Sequence, residues 1–206
     1  MLVDHLVYAT PDLDLGVERI ERLLGIRAAP GGQHPGAGTR NALVALGPVT
    51  YLEIVGPDRE QPEPAQPRWF RIDELEEPRL VTWAAKSNDI ARTCNAAHQS
   101  GIQLGDAVAG SRRRADGVLL AWRYTDPRTS VAEGIIPFFI DWGTTPHPSG
   151  SATQGTSLQS LRAEHPDPEP VLGIARQLGL DLRIDHGSRP ALIATITSPR
   201  GTVELR

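Results

Sequence analysis

Three times along this chain a short apolar run meets a helix-capping residue, then a helix-like stretch, then an apolar-Gly-apolar stop. The first copy runs from Leu2–Ala9 through Thr10-Pro11-Asp12 to Leu24-Gly25-Ile26. The second runs from Leu80–Ala85 through Ser87-Asn88-Asp89 to Gly101-Ile102. The third runs from Ser157–Arg162 through His165-Pro166-Asp167-Pro168 to Leu178-Gly179-Leu180. The junction residues Asp12, Asp89 and Asp167 stand 77 and 78 residues apart. Self-similarity at a fixed period is the signature of one supersecondary unit used repeatedly, and it constrains the fold more than any single motif.

The same physics recurs at each junction. A Thr, Ser, Asn or Asp oxygen can accept from helix N–H groups that have no partner in the first turn, and a proline there gives up no needed donor. Gly at the far end takes the left-handed conformation that closes the helix. Leu13, Val17, Ile20 and Leu24 fall on one helical face, as do Val171, Ile174, Ala175 and Leu178; the middle helix relies on Ile90, Cys94 and Ala97. Strand-like runs follow at 41–46 and 49–55, at 118–124 and 135–140, and at 191–196 and 202–205. With one short strand directly after each helix, the expected units are three βαβββ modules at 1–57, 79–143 and 157–206. The stretches Gly56–Pro67 and Gly143–Gly155 read as linkers. One such unit has too little core to stand alone, so units must pair. The expected fold class is α+β, with modules paired into a curved half-barrel sheet, helices outside, in one compact unit.

Composition excludes several classes. With 39% hydrophobic and 22% charged residues in 206, the chain has an ordinary globular balance, and its net charge of −4 offers no basic field for nucleic acid or anionic lipid. A single cysteine, Cys94, rules out an internal disulfide and a Cys-cluster zinc site. The expectation is a cytoplasmic protein without targeting or membrane-spanning segments. There is no nucleophile elbow, His-Glu-x-x-His or dinucleotide fingerprint. Gly31–Thr39 lacks the ending of a phosphate loop and reads as a mobile loop that delivers Thr39, Arg40 and Asn41 to a cup mouth.

The order of elements resembles the vicinal oxygen chelate superfamily, which includes glyoxalase I and extradiol dioxygenases. The runs Val3-Asp4-His5-Leu6-Val7, Gly38-Thr39-Arg40-Asn41, Tyr51-Leu52-Glu53-Ile54, Trp69-Phe70, Asp116-Gly117, Trp122-Arg123 and Pro137–Trp142 resemble its glyoxalase-like domain branch. The resemblance implies that His5 on the first strand and Glu53 on the module's last strand bind a divalent ion (Zn, Mn, Fe, Ni or Mg), with Glu53 also moving a proton. Two readings of the remaining ligand stay open. Glu204, in Thr202-Val203-Glu204-Leu205, completes the site if copies one and three pair. If copies one and two pair, Thr82 stands where His5 does and the last strand offers Ile140 or Asp141.

Alternation places Val3, His5 and Val7 on one strand face and Asp4, Leu6 and Tyr8 on the other. His98 falls in a helix; His34, His147, His165 and His186 fall in loops. Thr39, Asn41, Trp122 and one arginine of Arg112–Arg114, taken as Arg114, are the candidate substrate-binding residues. The functional expectation is a metal-dependent lyase, isomerase or dioxygenase acting on a small oxygenated metabolite. The alternative is a metal-free protein that binds or sequesters a small molecule, with an interaction protein third. The partner is a small molecule, not nucleic acid or membrane. The oligomeric state stays open, a homodimer included.

Overall fold

In the computed structural model, which describes residues 2–113 and 117–206, the first segment contains β1 (Val3–Ala9), α1 (Leu13–Leu24), β2 (Ala29–His34), β3 (Thr39–Gly47) and β4 (Thr50–Pro57). The second contains β5 (Arg79–Lys86), α2 (Ile90–Gln99), β6 (Ala107–Arg113), β7 (Leu119–Thr125) and β8 (Phe138–Asp141). The third contains β9 (Ser157–His165), α3 (Pro168–Gln177), β10 (Arg183–His186), β11 (Ala191–Ser198) and β12 (Gly201–Leu205). Capping chemistry starts the helices much as the repeat suggests. Asp12 accepts from the N–H groups of Asp14 and Leu15 at 3.0 and 3.2 Å, and Asp89 from that of Arg92 at 3.0 Å. The third junction differs. There the ring of His165 accepts from the Asp167 N–H at 3.0 Å, and Pro168 opens the helix. Gly25, Gly101 and Gly179 close the three helices with φ of 76°, 74° and 66°. In α1 the side chains of Leu13, Val17, Ile20 and Leu24 are buried, each contributing on the order of 2 kcal/mol through the apolar surface it removes from water.

Strands β1 to β8 form one sheet in the order β2-β3-β4-β1-β5-β8-β7-β6, curved into a half-barrel with helices outside. The seam is the antiparallel pair β1–β5; β1 runs parallel to β4, and β5 parallel to β8. Copies one and two therefore pair. The third copy repeats the order of elements but not their pairing, and forms a separate sheet in the order β10-β9-β11-β12. Here the strand after the helix lies parallel and adjacent to the strand before it. In copy one the corresponding strand, β2, goes to the sheet edge. The sequence of β2 suits that edge: Pro30 lacks a ladder donor and Gly31-Gly32 offer no apolar side chains for a central position. β10 is also an edge strand, but it lies against β9 and buries Ile184.

Alternation along β1 divides the two faces. Val7 and Ala9 join Val55, Ala84, Phe138 and Ile140 on the concave side. Leu6 and Tyr8 join Trp83, Ala85, the helices and the inner face of the third sheet in the large core. Among the described residues no helix is long and apolar enough to cross a membrane.

Candidate functional site

The concave face holds a small cavity of about 40 Å³ whose polar wall comes from β1 to β4 and β6. His5 is buried at its floor. Its ring stacks on Tyr51 with centroids 4.6 Å apart, and Phe138 meets it edge-on at 5.4 Å. His5 Nδ1 is 2.8 Å from Asp4 Oδ1, and Nε2 is 3.6 Å from Glu53 Oε2. With Nδ1–H donated to Asp4, a neutral ring presents its lone pair at Nε2, on the Glu53 side.

A β-bulge makes this possible. Val3 pairs with Ala85 and His5 with Ala84, so Asp4 is the extra residue of β1. Strict alternation would send Asp4 with Leu6 and Tyr8, but the bulge re-aims it toward the His5 side. There the fully buried carboxylate also lies 3.2 Å from His147 Nε2, accepts from Trp142 Nε1 at 3.2 Å and sits 3.9 Å from Lys86 Nζ. Burial alone would raise its pKa. The hydrogen bonds and charges of His147 and His5 outweigh it and hold Asp4 well below the usual carboxylate range.

Glu53 is the hinge of a second polar chain. Asn41 Nδ2 donates to Glu53 Oε1 at 2.6 Å, and Arg112 Nη1 donates to Asn41 Oδ1 at 3.2 Å. His34 Nε2 lies 3.2 Å from Asn41 Nδ2, while Nδ1 lies 2.9 Å from Thr39 Oγ1. Burial depresses the His34 pKa to about 4, against an opposing pull from Glu53, so the ring is neutral. Gly31 leaves room for this cluster: a Cβ there would stand 2.0 Å from Asn41 Oδ1 and 2.7 Å from Arg112 Nη1.

Aromatic rings supply the other walls: Tyr51, Trp69, Phe70, Trp122, Tyr124, Phe138 and Trp142. Burial pushes the Tyr124 phenol up to about 12 and the Tyr51 phenol well above its ordinary value, so both stay protonated. The buried Trp69 indole N–H has no acceptor among the described residues. Desolvating a donor without a partner costs about 1–3 kcal/mol, which an acceptor oxygen placed there would recover.

The sequence expectations meet this geometry unevenly. His5, Glu53, Asn41 and Trp122 come together at the cavity. Thr39 is fully buried behind His34 and holds that ring rather than the cavity itself. Arg114 lies outside the described residues; of its neighbours, Arg112 lines the cavity and is almost fully buried. Glu204 is elsewhere: it lies on β12 of the second sheet, half exposed, 3.5 Å from Arg162 Nη2. Gly31–Thr39 is no mobile loop but the hairpin joining β2 to β3, and His34 is a buried strand residue instead of a loop one. Trp69, Phe70 and Tyr51 line the cavity and Asp4 anchors His5, although residue type alone does not mark them as site residues. The alternation Thr39/Asn41 across from His34 was the signal for His34, hidden by the glycines beside it.

The pairing also bears on which residues could join His5 and Glu53 as ion ligands. The 77-residue offset between Asp12 and Asp89 carries His5 onto Thr82 and Val7 onto Ala84, and the β1–β5 register, which matches His5 with Ala84 and Val7 with Thr82, is consistent with it. Glu53 lies beside Val7 in β4, and Phe138 lies beside Ala84 in β8, so Phe138 is the counterpart of Glu53, rather than Ile140 or Asp141. A hydroxyl and a phenyl ring make no second pair of divalent-ion ligands. Among the described residues no group of three or more His, Cys, Asp or Glu side chains is arranged to hold a metal ion. The buried Arg112 guanidinium adds a permanent positive charge to the same cluster. Beside His5 and Glu53, the second module therefore contributes no further ion ligand among the described residues, and Glu204 stays in the other sheet.

Three solved structures are among those to which this chain is similar. A hypothetical protein from Staphylococcus aureus superposes with a TM-score of 0.72 at 14% identity, covering 93% of this chain and 88% of that one. Methylmalonyl-CoA epimerase from Mycobacterium tuberculosis gives a TM-score of 0.43 at 18% identity, covering 68% and 86%. A singly substituted form of the Streptomyces coelicolor methylmalonyl-CoA epimerase, in complex with 2-nitronate-propionyl-CoA, gives 0.48 at 18% identity, covering 72% and 99%. No curated protein matches the sequence. The profile of the glyoxalase-like domain family matches residues 3–179, spanning both paired modules and the start of the third segment. The chain therefore belongs to the glyoxalase-like domain family, within the vicinal oxygen chelate superfamily.

Proposed function

We propose that this protein binds a small oxygenated carbonyl compound in the aromatic cavity and moves a proton on it without a metal ion. The observation that carries this reading is the arrangement of His5. Its Nδ1 is anchored on a carboxylate of depressed pKa, and its Nε2 sits beside Glu53 at the cavity floor. A base so held removes a proton next to a carbonyl, and Glu53 is placed to relay it. The oxygen that gains negative charge needs donors fixed in advance. The Arg112 guanidinium and the Trp69 N–H supply them in a site lined by aromatic rings. Asn41 holds Glu53 and Arg112 in register. The chain's single cysteine and its lack of basic character suit a cytoplasmic enzyme.

A second reading keeps the ion, with His5 and Glu53 as its two protein ligands. Their 3.6 Å approach on neighbouring strands favours it, and the reaction class would then be that of a metal-dependent lyase, isomerase or dioxygenase.

Phenylpyruvate, an aromatic keto acid with exchangeable benzylic protons, separates the two. Tryptophan fluorescence should be quenched on binding, and deuterium incorporation followed by NMR should be faster with the protein than without it. His5→Ala and Glu53→Gln should each slow that exchange by about 100-fold or more, the usual scale of a general base, and a chelator should leave it unchanged. Exchange equally fast in both variants refutes the proton-transfer reading. Stoichiometric divalent metal in the purified protein, lost together with activity on chelation, establishes the second reading instead.

A further inference from the structure

Beyond Phe70, Pro127 and Phe138 lies a second, larger cavity of about 880 Å³, open to solvent, and these three residues line both spaces. Its walls differ in chemistry from those of the aromatic pocket. Arg68, Arg71, Arg79 and Arg128 line it, Arg68 tied to Glu63 and Asp73. Arg71 pairs with Glu74 and Arg128 with Asp126, whereas Arg79 has no acidic partner among the described residues. Glu133, the other acid on the wall, faces His165 at 3.4 Å. Arg128 also lies over the Trp69 ring, 6.0 Å from its centroid, so it stands where the groove meets the aromatic pocket.

The backbone marks the same place. Among the described residues four that are not glycine have left-handed φ: Phe70, Arg71, Ala132 and Glu133, at 60°, 53°, 47° and 52°. All four line this groove, two on each of two separate segments. Such backbone is costly for residues with a side chain, and it concentrates where a particular wall shape is needed. At 70 and 71 it turns the chain so that Phe70 borders both cavities while Arg71 borders only the groove.

We propose that the ligand is bipartite, with its oxygenated head in the aromatic pocket and an anionic, phosphate-type tail lying across Phe70 and Phe138 on Arg79, Arg71 and Arg128. Guanidinium groups match phosphate oxygens two at a time. The wide groove admits a tail longer than the head, and the narrow pocket admits only the head. This rests on the reading of the aromatic pocket as the place where the head binds.

Calorimetric titration with inorganic pyrophosphate as the tail probe and phenylpyruvate as the head probe, separately and together, tests it. Pyrophosphate should bind, more weakly as salt rises, and the two probes should bind at once without competing. Arg79→Gln combined with Arg128→Gln should weaken pyrophosphate by about tenfold, ~1.4 kcal/mol. Arg128→Lys with Arg79 intact should restore most of it, which shows that the fold is not at fault. Succinate in place of pyrophosphate distinguishes a carboxylate tail from a phosphate one. Absence of pyrophosphate binding, indifference to the arginine substitutions, or competition between the probes overturns the proposal. Pyrophosphate binding without any phenylpyruvate binding keeps the groove and refutes the pocket reading instead.

Discussion

Enclosure within the site holds the His34 imidazole neutral, at about 4 against an ordinary 6.5. The unfolded chain therefore binds that proton more readily than the native one. The stabilisation is complete above pH 6.5 and is lost as pH falls toward 4, by up to about 3 kcal/mol over the window. Asp4, with its depressed pKa, acts below this range, where its stabilisation disappears as the pH falls under the ordinary carboxylate value. Urea denaturation at pH 7 and pH 4.5 should show a drop in stability for the native protein, largely absent in His34→Gln. An equal drop in both would place the titrating group elsewhere. At this scale the sequence was only half legible. His5 and Glu53 stand out by residue type on apolar strands, whereas Asp4 reaches the site only through a bulge, and nothing local in Val3-Asp4-His5 announces one.

Among the elements, β2 shows how a strand can be shaped by what it must not carry. A side chain at Gly31 would strike Asn41 and Arg112. Gly31→Ala should thus cost about 1–3 kcal/mol, the usual range for overpacking, and abolish phenylpyruvate quenching. Gly173, on α3, meets nothing within 4 Å of an added Cβ. Gly173→Ala should instead stabilise by up to about 1 kcal/mol, because alanine loses less backbone entropy in a helix. Thermal melts of the two variants should move in opposite directions, and a stable Gly31→Ala that still binds phenylpyruvate would count against the site. The helices were the most legible elements, since caps, periodic apolar faces and glycine stops all lie within a few residues of each other. β2 was hidden because Pro30, Gly31 and Gly32 carry loop-like composition for reasons that belong to its neighbours.

The whole molecule joins two sheets through one core. Leu6, Tyr8 and Trp83 of the first sheet share it with Ala163, Leu192 and Ile196 of the second. All four tryptophans lie in the first 142 residues, so their fluorescence reports on the half-barrel alone. Ile196 is fully buried in the second sheet, and Ile196→Ala should cost about 2–5 kcal/mol. If the two sheets unfold as one unit, the tryptophan-detected transition should shift by that whole amount. A fluorescence transition that stays in place while circular dichroism shifts would make the third segment independent.

The sequence by itself determined the local grammar of this protein: three capped helices, the strands around them, the spacing of the copies, and His5 and Glu53 as chemistry on apolar strands. Capping, amphipathic period and glycine stops act over a few residues, so they can be read in place. Only the tertiary structure decided which copies pair, that the third adopts another strand order, that Phe138 stands in the second module where Glu53 stands in the first, and that Arg112 enters the site while Glu204 stays out. Those outcomes depend on register between strands far apart in the chain. That register is set by how whole faces pack, because a shift of one residue reverses every side chain on a strand.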